Sequence, residues 1–404
     1  MSKAAAVGLR VVHFQKPGLY SPDVVQHCEQ VHLFDYQDVG LVTALAGALH
    51  EIEPFSHVFT QSEIGQLVVG HLNDVLGLPG NSYQTYRTLH DKFALRSLLN
   101  KEGIGPVDAA ALTDAETLRE FLARHGTAVV KPTMASGSLG VRAVGPGDDP
   151  AEVWAWTQTF GTGAFMVEER LCGVEVSVES FTLDGRHTMV AMTQKDTGGG
   201  VIELGHVTPP LLPAAETEPL NDFITRVLDV AGVIEGTCHS EVMLTVDGPR
   251  LIESHNRLGG DSIPKLVELT TGVDMEALTF RSALPDGTAQ VKGENLGAAA
   301  ICFLTAPAGQ VVAVEGVEEA KAVAGVAEVY VSAEPGGRVR PLVWSDDRCG
   351  HVIAKASDPA DATRIARAAA AAIRILTEPD TDESAMGMAE YLTEVEEELD
   401  PFTH

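Results

Sequence analysis

Basic residues are scarce in this chain: 28 Lys+Arg stand against 57 Asp+Glu in 404 residues, a formal charge of −29. Nucleic acid and anionic membranes both select for a basic face, so neither is expected as a partner. Cysteine is sparse too. Cys28, Cys172, Cys238, Cys302 and Cys349 are scattered, odd in number and form no CxxC pair. This argues against a disulfide framework or zinc knuckle and fits buried thiols in a reducing cytoplasm. No apolar run approaches the roughly 18 residues of a membrane helix. The opening MSKAAAVGLRVV lacks the apolar stretch and small-residue cleavage site of a secretory leader, so none is expected. There is no Walker A loop. Nor does a glycine-rich dinucleotide fingerprint follow the first apolar strand, where Gln15-Lys16-Pro17-Gly18 stands instead.

What is present suits a multidomain α/β and α+β protein. The length allows two or three domains, and 45% hydrophobic residues can fill their cores. Residues 1–90 alternate short strands (Gly8–Phe14, His57–Thr60) with a helical stripe (Ile64–Leu76), as in a small parallel α/β domain. From Asp91 the texture changes. Helices are predicted over Asp91–Glu102, Asp114–His125, Glu218–Val230 and Ile263–Thr271, with strands at Ala128–Lys131, Val141–Val144, Ala164–Glu168, Glu175–Leu183 and His187–Thr193. A hairpin, His239–Thr245 and Arg250–His255, turns at Asp247-Gly248. Residues 296–376 read as a separate α+β unit ending in an Ala-rich helix, Ala360–Leu376. The remainder, 377–404, is an acidic tail with Met388, Leu392, Val395 and Leu399 at helical spacing. It is either mobile, docked as an amphipathic helix, or a partner-binding segment.

Several constellations carry chemistry. Lys92 opens a helix and Lys131 closes an apolar strand, and an ammonium there is costly unless it meets an anion. Both read either as phosphate ligands or as solvated ends. The loop Met134-Ala135-Ser136-Gly137-Ser138-Leu139-Gly140-Val141 lies between two strands. Its small residues let backbone N–H groups converge on an anion, as in a flap over a nucleotide; the alternative is a plain turn. Val167-Glu168-Glu169-Arg170-Leu171-Cys172-Gly173-Val174-Glu175 links two strands. Such a hinge offers backbone groups to an adenine edge and a carboxylate to ribose hydroxyls, or is a surface turn. If the hairpin centres on Asp247, Glu241 lies opposite Glu253, and strand alternation carries His255 and Arg257 onto the same face. Facing carboxylates repel unless cations lie between them, and hard oxygen ligands favour magnesium. Arg257 beside them can brace a transferring phosphoryl group as a planar fork.

Taken in order, Asp91-Lys92, Val130-Lys131-Pro132, Ser136-Gly137-Ser138-Leu139-Gly140, Val167-Glu168-Glu169, Gly173-Val174-Glu175, Glu241 and Glu253-x-x-x-Arg257-x-Gly259-Gly260 resemble the ATP-grasp superfamily, and within it the L-amino-acid ligase (dipeptide synthetase) branch. The resemblance covers about residues 80–290 and extends to 296–376. It implies an ATP-grasp fold: an N-terminal parallel α/β domain (1–90), an ATP-grasp domain of two lobes (about 91–165 and 166–295), and a C-terminal α+β domain. It implies that Lys92 and Lys131 hold ATP phosphates and that Ser136, Gly137, Ser138 and Gly140 form the phosphate flap. Glu168, Glu169 and Leu171 would frame the adenine, and Glu175 would meet the ribose. Glu241 and Glu253 would carry Mg2+ (with Mn2+ as a possible substitute), and Arg257 would be catalytic. The family places Asn two residues after the second metal-binding Glu. Here His255 stands there, with Asn256 next, so the third ligand is either His255 or Asn256 reached through a kink.

Related ligases also have a His-x-x-Pro segment near the acceptor site. His206, after the Thr197-Gly198-Gly199-Gly200 run, is read as part of a substrate-facing lid or as a simple loop histidine. The implied activity is a cytoplasmic, ADP-forming carboxylate–amine ligase acting through an acyl phosphate, with small-molecule partners that are amino acids and a homodimeric state. The rivals are another acceptor (a carrier thiol or ammonia), a carboxylase using a separate biotin carrier, a non-catalytic ATP-binding regulator, and a scaffold acting through the tail.

Overall fold

Strand alternation writes the main sheet. In the strand Glu235–Thr245, Cys238, Ser240 and Val242 are buried on one face while His239 and Glu241 lie on the other. The neighbouring strand Val174–Leu183 does the same with Val176 and Val178. These apolar faces pack under the helix Pro219–Ala231, through Leu220, Ile224, Val227 and Leu228, and under Leu95 and Leu99 of the helix Lys92–Lys101. The opposite face is left polar and forms one wall of a cleft. The computed structural model describes residues 1–379 apart from 136, 162, 199, 201, 285–290 and 292. The amphipathic spacing expected between 388 and 399 lies outside the described residues.

That sheet has eight antiparallel strands, in the order Gly248–His255, Glu235–Thr245, Val174–Leu183, Arg186–Asp196, Gly205–Thr208, Ala298–Phe303, Gly350–Ala356 and Val326–Val331. A four-stranded antiparallel sheet, Ala109–Leu112, Phe165–Glu169, Ala128–Pro132 and Arg142–Val144, forms the facing lobe. The N-terminal unit has a two-stranded parallel sheet, Val12–Gln15 with Gln30–Leu33. Three further strands, Arg338–Val339, Gly309–Glu315 and Arg374–Glu378, make a small C-terminal sheet. No helix among the described residues is long and apolar enough to cross a membrane.

The structure corrects two expectations. His57–Thr60 is not a strand. Its apolar side chains are held by packing instead: Val58 joins the Val42–Ala46–Leu72 cluster, and Phe59 meets Phe280 edge-on at 5.6 Å. The Ala-rich helix is Pro359–Ala372, not Ala360–Leu376. The β-branched Ile375 and Thr377 then enter the strand Arg374–Glu378, which pairs with Gly309–Glu315. The expected C-terminal unit, residues 296–376, contributes three strands to the main sheet. Ala299–Cys302 pairs with Gly205–Thr208, so the ladder runs unbroken past residue 296.

Candidate active site

A cleft of about 820 Å³ separates the four-stranded lobe from the polar face of the eight-stranded sheet. Asp91 caps the helix that begins at Lys92 by accepting from the Phe93 and Ala94 amides, which points Lys92 into this cleft at a fixed place. The Lys92 ammonium donates to the Ala135 carbonyl and stands 3.2 Å from Glu253. Lys131, at the end of its strand, lies 2.6 Å from Glu168, which also accepts from Arg96 Nε at 3.1 Å. All three ionic groups are buried. Burial works against the Glu168 carboxylate, but Lys131 and Arg96 hold it below its ordinary range. The Glu168 side chain is therefore engaged in fixing Lys131, while Glu169, Arg170 and Leu171 line the cleft beside it.

Gly137, Ser138 and Gly140 turn the intervening loop through the left-handed region, with φ of 65°, 63° and 70°. At Gly140 a Cβ would stand 2.9 Å from the Pro132 ring, so only glycine lets the loop fold back on its strand. Ser136, expected in the same flap, lies outside the described residues.

The hairpin adopts the expected register, pairing Glu241 with Glu253 and His239 with His255, with a bulge just beyond Glu241. Both acids are ionised in spite of burial. Lys195 and His239 bring Glu241 down to about 2, and Lys92, His255 and Lys131 bring Glu253 well below the usual range. Lys195 went unnoticed in the sequence. Its ammonium lies 2.5 Å from Glu241, 3.0 Å from Glu203 and 3.3 Å from Glu175. Burial opposes its charge, yet these three carboxylates keep it protonated. Glu175 is pushed up to about 7 by burial and by Glu241 and Glu203, which together outweigh Lys195. The one signal for Lys195 was its resemblance to Lys131: a lysine near the end of a strand whose residues 187–194 include no Asp, Glu, Lys or Arg. His239 donates on both sides, with Nδ1 at 2.7 Å from Glu179 and Nε2 at 3.1 Å from Glu241. Those anions overcome burial and raise it to about 10.

Alternation sends His255 and Asn256 to opposite faces. His255 falls on the Glu253 side, Nε2 at 3.1 Å from Glu253 and Nδ1 at 3.7 Å from Glu63, with neither ring nitrogen in a well-formed hydrogen bond. Asn256 turns to the other face and stays out of the cleft. Its Nδ2 donates to the Glu235 and Thr237 carbonyls at 3.0 and 3.2 Å, and its Oδ1 accepts from Asn81 at 2.7 Å. No kink brings it to the carboxylates. Arg257 follows two residues after the strand ends and lines the cleft, with Nε and Nη2 donating to Glu63 at 3.0 and 2.9 Å.

His206 is not on a lid. It sits in the strand Gly205–Thr208, 3% exposed, with Nε2 at 3.0 Å from Asp261 and its ring edge-on to Phe303. Asp261 also accepts from Arg348 Nη1 at 2.9 Å, and His206 and Arg348 hold its carboxyl below the ordinary range against burial. The strand ladder explains the correction: His206 pairs with both Lys195 and Ile301, so it is an interior position of the sheet.

Among the described residues, no group of three or more His, Cys, Asp or Glu converges as a ready metal cage. The donor chemistry nevertheless fits a divalent cation. Two ionised carboxylates face each other across the hairpin, and a buried imidazole without a formed hydrogen bond lies beside them.

Comparison with known proteins adds a family likeness to this geometry. The family model described as an ATP-grasp domain matches residues 126–265, and that described as L-amino acid ligase C-terminal domain 2 matches residues 302–378. An uncharacterised protein of Sinorhizobium fredii is 28% identical over 362 residues, covering 86% of this chain and 72% of that protein. Alanine–anticapsin ligase of Bacillus subtilis (strain 168) is 24% identical over 244 residues, and the match spans about half of each chain (52% and 52%). The crystal structure of L-amino acid ligase from Bacillus licheniformis superposes with a TM-score of 0.78 at 19% identity, covering 93% of this chain and 95% of that one.

Proposed function

From a chain that carries an ATP-grasp domain and the C-terminal domain of L-amino acid ligases, we propose an ADP-forming carboxylate–amine ligase that joins amino acids through an acyl phosphate. The observation that supports this most directly is the pair of ionised carboxylates, Glu241 and Glu253, opposed across one hairpin at the wall of a cleft that also receives Lys92, Lys131 and Arg257. A binding module has no need of that set; phosphoryl transfer does.

A carboxylate does not accept an amine directly, because oxide is a poor leaving group. In the proposed sequence the substrate carboxylate attacks the γ-phosphorus of ATP, its oxygen forms the new P–O bond, and ADP leaves. The amine then attacks the acyl carbon, the C–O bond to phosphate breaks, and phosphate departs. Lys92 and Lys131 orient the phosphates, and Arg257 offsets the charge on the transferring phosphoryl group. Gly137, Ser138 and Gly140 close over the nucleotide, and Glu169, Leu171 and Glu175 take its adenosine end. Glu241 and Glu253, with His255 next to them, hold Mg2+, or Mn2+ in its place. When bound, that ion supplies positive charge to the phosphate oxygens. His206 and Asp261, which also line the cleft, form the acceptor side in this reading.

The test is ADP and phosphate release from ATP and magnesium across a matrix of amino-acid pairs, with mass spectrometry of the products. Release that requires both a carboxylate and an amine, with a new amide mass, is the expected result. Tight ATP binding without release for any pair would overturn the ligase reading. Glu253→Gln should lower turnover by several orders of magnitude while leaving the circular dichroism spectrum unchanged; wild-type turnover would sink the metal assignment.

A further inference from the structure

Arg257 lies beyond the end of its strand, so no ladder bond of the sheet fixes it. What holds it comes from far away in sequence. Glu63, 194 residues earlier, accepts from Arg257 Nε and Nη2 through a single oxygen at 3.0 and 2.9 Å, while Nη1 donates to the Leu258 carbonyl at 2.9 Å. The other Glu63 oxygen faces His255 at 3.7 Å. Glu63 begins the short 3₁₀ turn Glu63–Gly65, and the next residue is equally engaged. Fully buried Gln66 donates to the Asn256 carbonyl at 3.0 Å and is itself 2.6 Å from His90. A Cβ at Gly65 would strike Thr60 Oγ1 at 2.5 Å, so the turn is seated tightly. One segment of the N-terminal unit therefore grips three consecutive residues, His255, Asn256 and Arg257, at the lip of the cleft.

We propose that Glu63 is the positioning residue for Arg257, so that the N-terminal unit completes the active site by aiming the guanidinium at the phosphoryl group. This rests on the role given above to Arg257. A carboxylate that takes two of the guanidinium's nitrogens fixes the plane of the fork, and the plane decides where its remaining donors point. A positioning residue of this kind affects the chemical step rather than nucleotide affinity.

The experiment compares Glu63→Gln, Glu63→Asp, Arg257→Lys and the Glu63→Gln/Arg257→Lys double variant. ADP release is followed from ATP and magnesium with an equimolar mixture of the twenty standard L-amino acids, and MgADP binding is measured by calorimetry. Glu63→Gln should lower kcat by about 10²-fold, the scale of a misplaced reacting group, with KM for ATP and MgADP affinity within about twofold of wild type. Glu63→Asp should recover part of the loss. The double variant should be no slower than Arg257→Lys alone, since both changes remove one function. Losses that multiply in the double variant, or a Glu63→Gln kcat equal to wild type beside a crippled Arg257→Lys, would overturn the inference and leave the ligase reading standing. An Arg257→Lys enzyme as fast as wild type would instead remove the role of Arg257, and this inference with it. If the mixture supports no turnover, the crystal structure of Glu63→Gln decides: Arg257 displaced from its wild-type position is expected, and Arg257 unmoved refutes the proposal.

Discussion

The cleft is built from ion pairs that burial makes expensive to break. Glu168 serves two cations at once, Lys131 and Arg96, in a place where neither can reach water. Glu168→Gln leaves both with a neutral partner, and removing one member of such a buried set costs about 3–5 kcal/mol. Urea unfolding should show that loss, and nucleotide affinity should fall with it because Lys131 loses its anchor. His239 makes a different demand, which is visible in pH. Its folded value of about 10 lies above the ordinary 6.5. The stability it contributes is therefore fully present below pH 6.5 and disappears as the pH rises toward about 10. Melting temperatures between those limits should fall for the wild type and fall less steeply for His239→Gln; parallel slopes would show that His239 is not charged in the fold. Glu175, pushed to about 7, has the same sign in a lower pH window, with its protonated form favoured by the fold. Its cost grows as the pH rises from the usual carboxylate range to about 7.

At the scale of elements, close backbone approach decides more than propensity. Gly173 ends the hinge between Phe165–Glu169 and Val174–Leu183, and a Cβ there would run into the Leu244 carbonyl oxygen of the adjoining strand. Gly173→Ala should destabilise by about 1–3 kcal/mol and weaken ATP binding, read by thermal shift with and without nucleotide. Elements with punctuation at both ends were legible in the sequence. The helix Ile263–Thr271 has Pro264 in its first turn and Gly272 left-handed at its end, and its bounds are those expected. The Glu241–Glu253 pairing follows from a hairpin centred on Asp247, but the chain reaches it another way: the two-residue turn sets Thr245 opposite Gly248, and the bulge between Glu241 and Val242 then brings Glu241 opposite Glu253. Glu63, Lys195, Glu203 and Arg348 were not legible, since each reaches the cleft from a different element and no spacing along the chain reports the meeting. His206 was misplaced for a related reason. Glycines before it suggested a loop, but its two strand partners, Lys195 and Ile301, are 11 and 95 residues away.

For the molecule as a whole, one unbroken eight-stranded sheet runs across the expected boundary at residue 296. Expressing residues 1–295 alone strips Ala298–Phe303 from the strand Gly205–Thr208 and leaves an unpaired interior edge. That fragment should aggregate on size-exclusion chromatography, whereas the full chain should not; a monodisperse, nucleotide-binding fragment would contradict the continuity of the sheet. The same continuity settles which wall of the cleft is the anvil. Eight strands locked edge to edge behave as a rigid plate, so His206, Lys195, Glu241 and Glu253 are expected to keep their mutual spacing. Any closing of the cleft is then expected of the opposite jaw, the four-stranded lobe with Lys131, which is joined to the plate through Gly173. The C-terminal strands, bonded into that plate through Ala298–Phe303, are the ballast of the side expected to stay still.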